Sequence, residues 1–416
     1  MSGILPGLGL LVLAVAMLWA LMAAPIGTRT FRVQARIRAP KAKLWQALHP
    51  FGDFANWYGA YVAVERIDDA HGRVQINWDG RDGKPIEREF ELSDVVDGER
   101  FTMRTTEDNS LAMSFWEHHA HSVALAGADG DVTVTLSETD RYRGAAFFLF
   151  RYFAMRRQAS KLRQWAETGT VTRGGVFEHP LTQFAMAGLS ALILWPFFGL
   201  TREGFLLSVA LTIVVGLHEL GHMVAFRIMG HRSTRMIFIP VLGGLALGGR
   251  PYNTHFEVAF SAIMGAGMSV FIASLAFAAS FLLQATGYRE AAQAAAVFAL
   301  ICALFNLGNL VPVWKFDGGQ ALRQIMRGRL TQALASFAAL AAFMGVGLAA
   351  GASLQAMLIA GAVFAVLSVM TAGSGVKPRT PLKPATAAEK GAIAAAFAAT
   401  FAAHACVLIW SVGQVL

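Results

Sequence analysis

Residues 204–228 read GFLLSVALTIVVGLHELGHMVAFRI, an apolar run that carries His218, Glu219 and His222 in its second half. A helix rises about 1.5 Å per residue and the hydrocarbon of a bilayer is about 30 Å thick, so about 20 such residues cross it. Ionisable groups at that depth are costly unless they coordinate, pair or line a cavity. On a helix, residues i and i+4 lie one above the other, so His218 and His222 can present two imidazoles to one cation. Glu219 stands beside them, where a carboxylate can take a proton from metal-activated water. The bland alternative is a satisfied polar contact between helices.

Similar apolar runs recur near 4–24, 181–200, 257–284, 291–312, 331–351, 355–373 and 391–412, giving about eight spans in all. The composition agrees: 55% hydrophobic residues, 15% charged and a mean hydropathy of +0.48 exclude an ordinary soluble enzyme. Charge is concentrated in residues 28–180, which hold 21 of 35 basic and 21 of 27 acidic side chains. The remainder, with 14 basic and 6 acidic residues, supplies the whole +8 excess. The basic balance is therefore a matter of membrane topology, and no nucleic-acid partner is expected. Twelve basic residues from Arg227 to Lys390 fall in loops on one side, against Arg202 and Arg289 on the other. The positive-inside rule makes the first side cytoplasmic, together with the polar segment and the end of the third span that bears His218 and His222. The first run lacks a basic leader and reads as an uncleaved anchor, not a signal peptide. Cys302 and Cys406 lie in apolar runs and read as small hydrophobes, with no disulfide framework or cysteine zinc site implied.

A catalytic zinc takes three protein ligands and leaves a fourth position for water. Among the acids after Glu219, Glu290 belongs to an outer loop and Glu389 precedes the last span, which leaves Glu257 and Asp317. Asp317 follows Asn309-Leu310-Val311-Pro312 and precedes Gly318-Gly319, at the cytoplasmic end of the fifth span and at a depth matching the histidines. Pro312 and the paired glycines point to a broken helix there, tolerated where backbone lines a protein cavity.

The His-Glu-x-x-His of one span and the Asn-x-x-Pro-x-x-x-x-Asp-Gly two spans later resemble the core of the site-2 protease family, over roughly residues 181–330. The resemblance implies that His218, His222 and Asp317 bind one Zn²⁺ per chain, that Glu219 is the general base and acid, and that Asn309 holds the substrate or the oxyanion. The segment from Phe238 to Gly244, continuing to Gly249, resembles the family's loop that dips into the membrane. Gly243 and Gly244 there are candidates for an edge strand that pairs with an extended substrate. One departure is Met264-Gly265-Ala266-Gly267-Met268, where the family commonly has Ala-Gly-Pro.

The polar segment has a different texture. Thr30 to Arg38 alternates as a strand, Ala39-Pro40 ends it, and a short helix with Leu44, Trp45 and Leu48 follows. Strand-like runs recur near 61–67, 73–79, 85–92, 101–106, 112–125 and 132–139. A helix over about 144–167 closes the segment, with Phe147, Phe150, Phe153 and Leu162 expected on its core side. This order resembles a START-like helix-grip domain, akin to polyketide cyclases, which implies a cavity for an apolar small ligand. Trp57, Tyr58, Trp78 and Trp116 are pocket candidates, with Phe115 beside the last. His118, His119 and His121 read as a polar strand face and not as a metal site.

The sequence therefore predicts a polytopic α-helical membrane protein with an inserted α+β helix-grip domain. Its parts are an N-terminal anchor (1–27), a START-like domain (28–172), a catalytic membrane core (173–330) and C-terminal spans (331–416). The expected activity is that of an intramembrane zinc endopeptidase acting on membrane-protein substrates in the lipid bilayer of a cell, of the bacterial inner-membrane type. A lipid- or small-ligand-binding membrane protein and a zinc-dependent non-proteolytic receptor are the other function classes, and Glu257 is the alternative ligand in a different intramembrane metalloprotease.

Overall fold

From Phe31 to Ile37 the side chains of Phe31, Val33 and Ile37 are buried and alternate with exposed ones, the period-two signature of a strand with one wet face. A computed structural model, describing residues 16–17, 19–21, 23–171, 179–239, 243–313, 315–326, 328–371 and 378–415, makes this strand β1 (Pro25–Ile37) of a seven-stranded antiparallel sheet. The others are β2 (Tyr61–Arg66), β3 (His71–Asp79), β4 (Pro85–Val96), β5 (Arg100–Asp108), β6 (Ala120–Ala128) and β7 (Asp131–Arg143), in the order β1-β7-β6-β5-β4-β3-β2. Short helices α1 (Lys41–Leu48) and α2 (Phe54–Tyr58) join β1 to β2, and the long α3 (Ala145–Thr168) follows β7.

The core lies between the sheet and α3. Val33, Leu136, Val123 and Phe101 form one row across four strands. Met155, Ala159, Leu162 and Ala166 of α3 pack in the same core. This is a helix-grip arrangement. Two expectations are corrected. The run 112–125 is a strand only from Ala120; Met113–Phe115 is a 3-10 turn, so His118 and His119 lie outside the strand. On α3, Leu162 faces the core as expected, but Phe147, Phe150 and Phe153 are exposed, and Phe148, Tyr152 and Met155 take the inner positions. Residues 378–381 belong to this unit: Pro378 pairs with Leu111, and the Arg379 guanidinium donates to Asp108 O and to Glu107.

The second unit, residues 174–372 and 382–416, is helical. Its helices are α4 (Pro180–Leu194), α5 (Arg202–Ile228), α6 (His255–Ala285), α7 (Arg289–Asn309), α8 (Asp317–Ile325), α9 (Arg329–Ala349), α10 (Leu354–Thr371) and α11 (Ala387–Val415), with a hairpin of β8 (Thr234–Ile239) and β9 (Gly243–Gly248) after α5. Among the described residues six helical segments are long and apolar enough to cross a membrane: Leu181–Phe198, α5, α6, α7, Leu330–Ala349 and α11. The expected run at 355–373 forms a shorter apolar stretch, Leu354–Val366, and most of the run at 4–24 lies outside the described residues.

Small side chains make the helix contacts of this unit. Ala259, Ala262, Gly265, Ala266, Ser269 and Ala273 are the buried stripe of α6, as expected where lipid offers no hydrophobic drive and close approach supplies the packing. A Cβ on Gly221 would lie 2.2 Å from Met264 O, so α5 and α6 meet at a point where only glycine fits.

Candidate metal centre

α5 carries the His-Glu-x-x-His motif and forms because its residues are apolar and its start is capped, Thr201 Oγ1 accepting from the Gly204 amide at 3.0 Å. His218 is 3% exposed and Asp317 8%. Asp317 opens α8 just beyond the end of α7. A Cβ on Gly318 would stand 1.9 Å from Leu310 O, so the start of α8 is pressed onto the end of α7, and glycine is required there.

The three groups converge as the spacing predicts. His218 Nε2 and His222 Nε2 are 3.1 Å apart, and Asp317 Oδ2 is 3.0 Å from the first and 3.4 Å from the second. The other nitrogens decide the tautomers. His218 Nδ1 is 2.8 Å from Asn306 Oδ1, and His222 Nδ1 is 2.7 Å from Ser261 O. An amide oxygen only accepts, so each Nδ1 carries a hydrogen, and when the other nitrogen is deprotonated, as metal binding requires, each ring points its Nε2 lone pair at the carboxylate. Three acceptor atoms facing one another in a buried place repel unless a cation sits among them, and Asp317 Oδ2 has no hydrogen-bond donor. The donor set thus fits a metal ion, and among the described residues it is the one group of three or more metal-ligating side chains that converges in this way.

Gly265 provides the room. A Cβ there would lie 2.6 Å from His222 Nε2 and 2.7 Å from His218 Nε2. Glu219 points to the hairpin, its Oε2 accepting from the Ala246 amide at 2.8 Å, and a Cβ on Gly244 would meet Glu219 Cγ at 2.4 Å. Gly244 is therefore a close-approach position beside the carboxylate, while Gly243 begins β9 with a φ of +93°. The hairpin itself is paired from Thr234↔Gly248 to Ile239↔Gly243.

Asn309, expected at the substrate or the oxyanion, donates Nδ2 to Phe305 O of its own helix at 3.1 Å; a further amide, Asn306, not singled out from the sequence, accepts from His218 Nδ1, is fully buried and donates its own nitrogen to Cys302 O at 2.8 Å. A buried asparagine in the middle of an apolar run was the signal for it. Glu257 is not a ligand: its carboxylate accepts from Arg250 Nη2 at 3.0 Å and from the Asn253 amide at 2.6 Å, bracing the turn into α6.

In the first unit the pocket candidates separate. Trp57 and Trp116 are core residues whose indole N–H groups donate to Ala47 O at 2.6 Å and Asp108 Oδ2 at 3.1 Å. Trp78 is 53% exposed. Tyr58 stacks with Phe54 and Tyr61 beside the core. Phe115 packs edge-on against Trp116. The interior row next to the apolar one is polar: Phe31, Glu138 and His121 align across β1, β7 and β6. Glu138 is in contact with Arg151 and lies 3.8 Å from His119 Nε2. Burial, and then the Arg151 charge, push His119 down to about 3 and His121 down to about 4. Both are neutral near pH 7.

No family model matches the chain, and no curated protein matches it. Solved structures similar to part of it include DynU16, a protein of the dynemicin biosynthetic locus, at 20% identity over 35% of this chain and 49% of that one, with a TM-score of 0.28. A START superfamily protein from Mycobacterium smegmatis matches at 8% identity over 34% of this chain and 99% of its own, with a TM-score of 0.28. The Zhui aromatase/cyclase from Streptomyces matches at 14% identity over 36% and 99%, with a TM-score of 0.27. The chain thus spans about half of the DynU16 chain it matches.

Proposed function

We propose that the protein is an intramembrane zinc endopeptidase that cuts membrane-protein substrates in or beside the bilayer. The observation that carries this reading is the convergence of two imidazole Nε2 atoms and one carboxylate oxygen, with a second carboxylate, Glu219, next to His218 on the same helix. Tetrahedral zinc with bonds of about 2.0–2.1 Å separates its ligand atoms by about 3.3 Å, close to the 3.0–3.4 Å seen here. When bound, zinc supplies a Lewis acid and makes water acidic enough to be deprotonated near neutral pH.

The chain's own residues do the rest. His218, His222 and Asp317 hold the ion, while Asn306 and the Ser261 carbonyl fix the imidazole orientations. Glu219 takes the proton of the attacking water and returns it to the leaving amide nitrogen. A transmembrane helix shields its peptide bonds, so the substrate must be extended locally, and β9 offers its edge beside Glu219 for strand pairing. The first unit serves, in this reading, to bind an apolar ligand or to select substrates on the cytoplasmic side.

Retention of a carboxylate beside the metal ligands favours hydrolysis over a metal-dependent receptor, because binding alone does not need it. The test is metal content and cleavage measured together on detergent-purified protein. About one zinc per chain is expected in wild type and in Glu219→Gln, with loss in Asp317→Ala. Cleavage of a reconstituted model membrane substrate is expected from wild type alone. Wild type that stays metal-free after zinc loading, or Glu219→Gln that still cleaves, overturns the proposal.

A further inference from the structure

The start of α3 turns its large apolar side chains outward. Phe150 is 64% exposed, Phe153 52%, Leu149 46% and Phe147 37%. Four such residues within seven positions make a patch of the kind a soluble surface avoids. Further along the helix the exposed positions become polar, with Arg156, Ser160 and Arg163. Arg156 lies about 9 Å from Phe150 along the axis at 1.5 Å per residue. Residues 141–166 hold seven basic side chains and no acidic one, and Arg151 of these reaches inward to Glu138.

The covalent path fixes what lies near this patch. The amide of Gly144, which precedes α3, donates to Ala24 O at 2.9 Å, and Pro25 pairs with Arg143. Ala24 ends the apolar run 4–24, and its described residues 16–17 and 19–21 are helical, with Trp19 exposed. The first residues of α3 are therefore one hydrogen bond from the end of that apolar run, which the sequence reads as a membrane anchor. Trp and Tyr commonly mark that level, and an amphipathic helix there buries its apolar face about 5–10 Å into the headgroup and acyl boundary.

We propose that the start of α3 rests in the interfacial layer of the membrane, with Phe147, Leu149, Phe150 and Phe153 among the upper acyl chains and Arg143 and Arg156 at anionic lipid phosphates. The occupant of the patch is the lipid surface itself. The START-like unit is then fixed at a set height and orientation by its anchor and by this face together, independently of any catalytic role of the membrane unit.

The experiment uses the full-length chain in nanodiscs of phosphatidylglycerol and phosphatidylcholine. Cys406→Ser removes the exposed thiol, Cys302 being buried, and single nitroxide labels are placed at Phe150→Cys, Phe153→Cys, Ser160→Cys and, as an exposed reference on β3, Trp78→Cys. Collision rates with oxygen, which enters hydrocarbon, and with a water-soluble nickel chelate are compared. Positions 150 and 153 are expected to show an oxygen-to-nickel ratio several-fold above that at 78, with 160 intermediate. In discs of phosphatidylcholine alone the ratio at 150 is expected to fall toward the value at 78. A label at 150 that meets nickel as freely as at 78 shows a face in water. One that is shielded from both reagents shows a face covered by protein. Either result overturns the proposal.

Discussion

The imidazoles of the triad are fixed less by their ligand nitrogens than by the hydrogen bonds on their far sides. Asn306 Oδ1 takes the Nδ1 hydrogen of His218, and the Ser261 carbonyl takes that of His222. Without these acceptors either ring is free to flip or change tautomer, and a bare Nε2 no longer waits at the site. Asn306→Leu is therefore expected to weaken metal binding by about 10- to 100-fold, the usual cost of losing such a support. Competition with a chromophoric chelator checks this, with unchanged helix content as the control. Unchanged affinity would show that packing against Phe305, whose ring meets His218 edge-on at 5.3 Å, holds the imidazole by itself.

Among elements, the end of β5 rests on one carboxylate. Asp108 has no exposed surface, yet its Oδ1 accepts from the Ser110 amide, the Ser110 hydroxyl and the Leu111 amide, at 2.6–3.0 Å. Its Oδ2 accepts from Arg88 Nε at 2.7 Å and Trp116 Nε1 at 3.1 Å. Burial works against the charged form, but the bonds from Ser110 and Leu111 and the Arg88 charge outweigh it and hold the carboxyl below the usual range. Asp108→Ala strands these donors and leaves Arg88 without its partner, a loss of about 3–5 kcal/mol for a broken buried pair. Thermal unfolding of the helix-grip unit, followed by tryptophan fluorescence, is expected to move down accordingly, and Asp108→Asn, which keeps an acceptor, to lose less. The same segment explains a misread strand: the run 112–125 alternates well enough, but the Asp108 carboxylate binds the backbone of Ser110 and Leu111 into a turn that delays β6 to Ala120.

At the scale of the whole molecule, the first unit is expected to respond to acid through its buried titratable groups. His119 and His121, held at about 3 and about 4 by burial and by Arg151, titrate near 6.5 once unfolded. Below that value the unfolded chain binds more protons than the folded one, so their contribution is complete above pH 6.5 and is lost progressively toward pH 4. Glu138 and Asp140, raised chiefly by burial, act in the opposite sense in the carboxylate range. The stability of the helix-grip unit is therefore expected to fall between about pH 7 and pH 5, by up to a few kcal/mol, at about 1.4 kcal/mol per pKa unit. Replacing both histidines by phenylalanine is expected to flatten that slope. The sequence by itself determined most of the apolar runs, most of the strands and the histidine pair of the triad. Each of these follows from a short-range period: about 20 apolar residues for a span, two for a strand, and i to i+4 for His218 and His222. Only the tertiary structure decided that Asn306 braces His218, that Glu257 belongs to Arg250, and that Phe150 and Phe153 face outward. Those outcomes depend on which faces of separate helices and strands come together, and a residue's apolar character is the same whether its neighbour is a protein core or a lipid surface.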